Sequence, residues 1–272
     1  MVDFATGRIA TGVRLHYAEQ GDREGEAIIF IHAYADSWFS FSRVLNLLSP
    51  QYHAFAPDKR GHGQSDRPRC CYTADDFVAD IDAFMDAVGL EVAALVGHSS
   101  GGMIAQGAAL AHPDRVSHLV MIDSVATLLT NEVVVRAADE IRALRDPISP
   151  NFIREFQEGA IFRSVPEEFM SGLVSESLKV PARVWRDYYD GVVLTIDHST
   201  RLREITAPTL VILGERDSMF TVEEQARLVE AIPDATLRVY PQTGHSPNWE
   251  RPEWLARDLE AFIESRELAD LS

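Results

Sequence analysis

Short apolar runs alternate along the chain with stretches in which apolar residues recur every three or four positions, the pattern of strands interleaved with helices. Residues 27–31 and 92–96 are uninterrupted apolar runs, as expected of strands covered on both faces. Residues 52–57, 116–122, 208–213 and 236–240 predict four more strands. Residues 4–19 carry β-type alternation broken at Thr6-Gly7 and Thr11-Gly12, which predicts an opening antiparallel hairpin. Helical spacing fills the gaps. Trp38, Phe41, Val44, Leu45 and Leu48 mark one helix. Phe77, Ile81, Phe84 and Val88 mark a second, which Thr73 and Asp76 can cap and Gly89 can end. Gly102, Ala105, Gly107, Ala108 and Ala109 let a third lie close against a sheet, and two more fall near 222–231 and around Leu255, Leu259, Phe262 and Ile263.

From about 125 to 204 the strand signal disappears, and helical patterns broken at Pro147, Pro150, Pro166 and Pro181 replace it. The expected architecture is α/β: a mainly parallel, doubly wound sheet formed by residues 1–124 and 205–272, with a helical cap inserted at 125–204. No internal repeat or low-complexity tract is visible.

A chain of 272 residues, 46% of them hydrophobic, can bury one sizeable core. The formal charge of −17 argues against nucleic acid or an anionic membrane as partner, since both are polyanions. Cys70 and Cys71 are neighbours and can join no distant segments, so a disulfide framework is not expected and a reducing, cytoplasmic setting is. No signal peptide, membrane-length apolar run or metal-ligand spacing stands out, so neither metal nor cofactor is expected. The number of subunits is left open.

Chemistry concentrates at Gly97-His98-Ser99-Ser100-Gly101, between a strand and a helix. A strand, a sharp turn and a helix in that order expose the central hydroxyl, and the flanking glycines remove side chains that would block the turn. A serine hydroxyl needs a base to take its proton, and the base needs a third group to orient it. In an open parallel sheet such groups gather beyond the carboxyl ends of strands. Ser99, Asp217 and His245 stand at predicted strand ends, in the chain order that accompanies a strand–turn–helix serine. The reading is Ser99 as nucleophile, His245 as general base and acid, and Asp217 as the orienting acid, with Asp123 as the alternative. The backbone N–H groups of Tyr34 and Ser100 are the candidate oxyanion donors. Tyr34, His98, Trp185, Tyr189 and Met219 are the candidate substrate-binding residues. His32 is read as a structural residue of the oxyanion loop, and Asp58, Arg60 and His62 as members of a loop network.

Four motifs in order, His32-Ala33-Tyr34, Asp58-x-Arg60-Gly61-x-Gly63-x-Ser65, Gly97-x-Ser99-x-Gly101, and Gly214-x-x-Asp217 followed by Gly244-His245, give a chain that resembles the α/β-hydrolase fold superfamily in its serine esterase and lactonase branch. The resemblance covers nearly the whole length. It implies an eight-stranded, mostly parallel sheet with a helical cap, and a triad on Ser99, Asp217 and His245. One departure stands out: Ala33 occupies a position where the family usually has glycine, and its methyl, which resists positive φ, could narrow the acyl pocket or shift Tyr34. The implied activity is hydrolysis of a small, fairly apolar carboxylic ester or lactone. Hydrolytic C–C cleavage of a diketone and a cofactor-free oxygenase reaction are the alternatives, and a small-molecule receptor with weak hydrolysis is a third. Haloalkane dehalogenases and epoxide hydrolases of this fold place an aspartate where Ser99 stands, which sets them apart.

Overall fold

The computed structural model describes residues 2–270, the last five of them by backbone alone. Eight strands form one sheet: β1 (Asp3–Arg8), β2 (Arg14–Gly21), β3 (Ala27–Ile31), β4 (His53–Pro57), β5 (Ala93–His98), β6 (Val116–Ile122), β7 (Thr209–Gly214) and β8 (Ala235–Tyr240). Their order across the sheet is β1-β2-β4-β3-β5-β6-β7-β8. The pairs β1–β2 and β2–β4 are antiparallel, and every other pair is parallel. The central strands β3, β4, β5 and β7 are buried along their whole length, which is why they read as unbroken apolar runs. Residues 4–19 do form the opening hairpin.

The helices are α1 (Ser42–Leu45), α2 (Ala74–Val88), α3 (Ser100–Ala111), α4 (Glu132–Ala143), α5 (Pro150–Glu158), α6 (Glu167–Ser177), α7 (Ala182–Tyr188), α8 (Val222–Ala231), α9 (Pro247–Glu250) and α10 (Pro252–Asp270). α2 carries the expected reciprocal cap between Thr73 and Asp76, and Gly89 ends it in the left-handed conformation at φ 77°. The helix expected around residues 38–48 is shorter and tighter than its spacing suggested: a 3₁₀ turn at Trp38–Phe41 leads into the single turn α1. Ser37 Oγ and an Asp58 carboxylate oxygen accept the N–H groups of Phe39 and Trp38, and so hold that first turn.

Between β6 and β7 the described elements are helical, α4 to α7, with a π turn at Tyr189–Val193 extending α7. These helices are joined to the sheet layer by one continuous apolar cluster, in which Trp185, Tyr188 and Val192 are fully buried. Cys70 and Cys71 are joined to each other in an exposed loop and link no distant segments. Among the described residues, no helix is long and apolar enough to cross a membrane.

Candidate active site

The site lies where the sheet order reverses. The chain passes from β3 to β4 on one side and returns to β5 on the other, so the loops after β3 and β5 diverge and leave a crevice at the carboxyl edge. Ile31 pairs with Gly97, which places the segment starting at His32 beside the turn at Ser99.

Ser99 has φ 51° and ψ −122°, a conformation that L-residues with a side chain adopt at a cost of roughly 1–3 kcal/mol. The surroundings hold it there. Ser99 N–H donates to Ile122 O at 2.9 Å, and Ser124 Oγ donates to Ser99 O at 2.8 Å. The glycines are required by close approach: a Cβ on Gly101 would sit 2.2 Å from Ile31 O, and one on Gly97 2.5 Å from backbone atoms of Gly101 and Gly102. α3 therefore starts directly against the ends of β3 and β5, and its first N–H groups point at the crevice.

Ser99 Oγ lies 3.0 Å from His245 Nε2, and His245 Nδ1 lies 2.9 Å from Asp217 Oδ2. With Nδ1 protonated and donating to the carboxylate, Nε2 is left to accept the serine hydroxyl. Asp217 Oδ1 accepts Met219 N–H at 2.6 Å. Burial alone would raise the Asp217 pKa. The adjacent His245, its hydrogen bond, and the bonds from Asp123 and the Met219 amide outweigh that, bringing the group down to about 2.

The competition between the two acids is decided by position. Asp123, at φ 40°, accepts Gly214 N–H through Oδ1 at 2.9 Å, and the imidazole pairs with Asp217 instead. Burial, then the charge of Asp217, pushes the Asp123 carboxyl well above its usual range. Its Oδ2 is buried and has no N–H or O–H donor. The environment of Asp123 therefore favours its protonated form beside the Asp217 carboxylate. Among the described residues, Asp123, Asp217 and His245 each offer a ligand atom within 4.8 Å of the others.

Among the described residues, neither the Tyr34 nor the Ser100 backbone N–H donates to a carbonyl or side chain. Of the two effects expected of Ala33, the loop that carries Tyr34 shows the methyl in the pocket wall. Ala33 has no positive φ; the left-handed residue is Ala35, at φ 60°. The extra methyl at position 33 lines the cavity rather than distorting the chain. His32 keeps the loop in shape, its Nδ1 donating to Ala33 O at 2.9 Å and its Nε2 accepting Lys59 N–H at 3.0 Å. Asp58, Arg60 and His62 make loop bonds, with Arg60 gripping Asp80 through two contacts of 2.6 Å. His98 donates through Nε2 to His245 O at 2.8 Å; burial, then the nearby His245, lowers its pKa to about 3. It steadies the base.

A cavity of about 410 Å³ opens from Ser99 and His245 toward α4 and α5. Tyr34, His98, Tyr189 and Met219 line it, as does Trp249. Trp185 does not. It is fully buried behind the wall, with its ring against Tyr34, Phe152 and Phe156. Periodicity marks it as apolar but cannot say which layer of a two-layer wall it occupies.

Three residues around the site, Lys59, Glu250 and Asp36, escape sequence reasoning. Lys59 Nζ donates to His32 O at 2.8 Å and shares a 2.8 Å bond with Tyr188 Oη, which in turn lies 2.9 Å from Ser100 Oγ. This chain ties α7 to the residue beside Ser99. Glu250 accepts Gly244 N–H together with the Phe162 and Arg163 amides, joining the histidine loop to the inserted segment. Asp36 accepts Gln157 Nε2 at 3.0 Å inside the cavity. The only local signal for any of these is the place of Lys59 inside the Asp58–Ser65 motif.

Comparison with known proteins places this geometry. A family model described as the alpha/beta hydrolase fold matches residues 26–252. A non-heme chloroperoxidase of Streptomyces lividans is 28% identical over 270 residues, covering 93% of this chain and 97% of that protein. A 2-hydroxy-6-oxononadienedioate/2-hydroxy-6-oxononatrienedioate hydrolase of Paraburkholderia phymatum is 30% identical over 271 residues, covering 93% and 92%. The solved esterase of Exiguobacterium antarcticum superposes with a TM-score of 0.85 at 22% identity, covering 97% of this chain and all of that one.

Proposed function

We propose, from the premise that this chain belongs to the alpha/beta hydrolase fold family, that it hydrolyses a small, fairly apolar carboxylic ester or lactone through an acyl-enzyme on Ser99. The observation that carries the reading is the unbroken relay from Ser99 Oγ to His245 Nε2 and from His245 Nδ1 to Asp217 Oδ2, at 3.0 and 2.9 Å. As the hydroxyl attacks the acyl carbon, His245 Nε2 takes its proton, and the Asp217 carboxylate stabilises the imidazolium. The oxygen that becomes negative is met by the unengaged N–H groups of Tyr34 and Ser100, fixed in place before reaction. His245 then returns the proton to the leaving alcohol. In the second half it draws a proton from water, which attacks the acyl-enzyme and regenerates Ser99. In this reading residues 125–204 form a cap whose helices α4 and α5 wall the acyl pocket with Val134, Ile141, Phe152 and Phe156.

The similarity to a dioate hydrolase supports a second reading, hydrolysis at a carbon–carbon bond of a keto acid. A dioate carries two carboxylates, and no lysine or arginine lines this cavity among the described residues, so the ester reading is preferred. The test is turnover of short p-nitrophenyl esters and simple lactones, with fluorophosphonate labelling of Ser99. Ser99→Ala is expected to lower ester turnover by roughly 10⁴- to 10⁶-fold and to abolish labelling. Folded wild-type protein that neither turns over an ester nor takes the label would defeat the proposal.

A further inference from the structure

The cavity has a charge as well as a shape. Its walls are aliphatic and aromatic, and its ionisable side chains other than the histidines are all acidic: Asp36 within, Glu140 and Glu155 at the exposed rim. Lys59 does not line the cavity; its Nζ is engaged by His32 O, Ala33 O and Tyr188 Oη, and burial pushes it toward its neutral form. A carboxylate entering this space would leave water without gaining a partner, and would meet charges of its own sign.

Asp36 is the group best placed to act on a bound acyl chain. It is only 2% exposed, it follows the oxyanion loop directly, and it lines the same cavity as Ser99. Gln157 of α5 fixes it: its Nε2 donates to Asp36 Oδ1 at 3.0 Å and to Ser177 Oγ at 2.8 Å. Both amide hydrogens are then spent, and Gln157 offers an incoming substrate only an oxygen acceptor. Resting on the hydrolase reading above, we propose that the site takes uncharged esters and lactones and rejects acyl groups bearing a carboxylate, and that Asp36 held by Gln157 determines this choice.

Burial brings Asp36 up to about 7 despite the Gln157 bond, so its charge can be switched within an ordinary assay range. The groups facing it are Lys59 after β4, Gln157 of α5, Tyr188 of α7 and His245 after β8. The experiment compares p-nitrophenyl methyl adipate with mono-p-nitrophenyl adipate, two substrates matched in length and differing by one negative charge. At pH 8.5 the methyl ester is expected to exceed the free acid in kcat/KM at least 100-fold. Asp36→Asn should shrink that ratio at least tenfold, whereas Glu140→Gln with Glu155→Gln at the screened rim should shift it less than threefold.

The wild type supplies a second measurement that needs no variant. At pH 6 Asp36 takes up its proton while the substrate acid, with a pKa near 4.5, stays ionised. The ratio should then fall at least fivefold, because pH effects on the catalytic steps shared by both substrates cancel in it. A wild-type ratio within threefold at pH 8.5, with Ser99 labelled by the fluorophosphonate, would overturn the charge selection alone. A ratio unmoved both by pH and by a folded Asp36→Asn would remove Asp36 from it. No turnover and no label would overturn the hydrolase reading and this inference together.

Discussion

The edge of the sheet and the inserted helices above it meet at one cavity, yet they are held by different forces. At the sheet edge the positions of Ser99, Asp217 and His245 are set by backbone. Parallel strands in fixed register, amide bonds to carbonyls, and glycines packed against main chain leave little freedom. Gly214 shows how tight this is, since a Cβ there would lie 1.9 Å from Gly244 O, in the loop that carries the base. The inserted helices rely instead on side chains. Trp185, Tyr188 and Phe156 interlock with Tyr34 in edge and tilted ring contacts at 5.0 to 5.9 Å. A few buried polar ties, at Glu250, Lys59 and Asp36, pin them down. Backbone contacts fix where Ser99, Asp217 and His245 stand, while side-chain packing fixes the shape of the cavity beside them. Changes at the edge should therefore cost rate, and changes in the insert should cost stability and selectivity.

The sharpest way to break that division lies between the two adjacent acids. Asp217→Asn keeps the shape but lets the imidazole settle in the wrong tautomer, and about a 10⁴-fold fall in kcat is expected. Asp123→Asn preserves both an acceptor for Gly214 N–H and a donor toward Asp217, so steady-state rates should fall tenfold or less. Equal losses in the two variants would mean that the acids act as one unit.

Next in size is Trp185→Ala. Emptying a fully buried indole site should cost about 3–5 kcal/mol in denaturant unfolding. Because the ring stands behind the wall, KM should rise more than kcat falls. The smallest effect is expected where the two regions touch. Tyr188→Phe removes the oxygen that links Lys59 to Ser100 and should cost about 1–3 kcal/mol, since it leaves buried partners unsatisfied. If kcat on esters drops with it while KM holds, α7 supports the oxyanion donor at Ser100; if only stability changes, the link is architectural.

Much of the sheet could be read in advance because its signals are local. The runs at 27–31 and 92–96 are apolar on both faces because helices cover both faces, and Thr73 with Asp76 caps α2 through residues three apart. The turn at Ser99 is legible in part for the same reason: Gly97 answers to Gly101 and Gly102 close by in the chain, whereas Gly101 answers to Ile31 and His32 at the end of β3. The first helix after β3 was misjudged in length, because the carboxylate that holds its opening turn comes from Asp58, twenty residues away. The positive φ of the loop after β3 falls on Ala35 and leaves the Ala33 methyl in the cavity wall, since the path of a loop depends on what it packs against.

What the sequence determined by itself is therefore the alternation of elements and the strand–turn–helix setting of Ser99, both of them set largely by neighbours along the chain. Only the tertiary structure decided which acid meets His245, that Trp185 stands behind the pocket wall rather than in it, and that Lys59, Glu250 and Asp36 reach the site. Those outcomes rest on contacts between residues tens to more than a hundred positions apart. Such contacts leave no periodicity or spacing to read, because hydrophobic burial and hydrogen bonding act on distance in space and not along the chain.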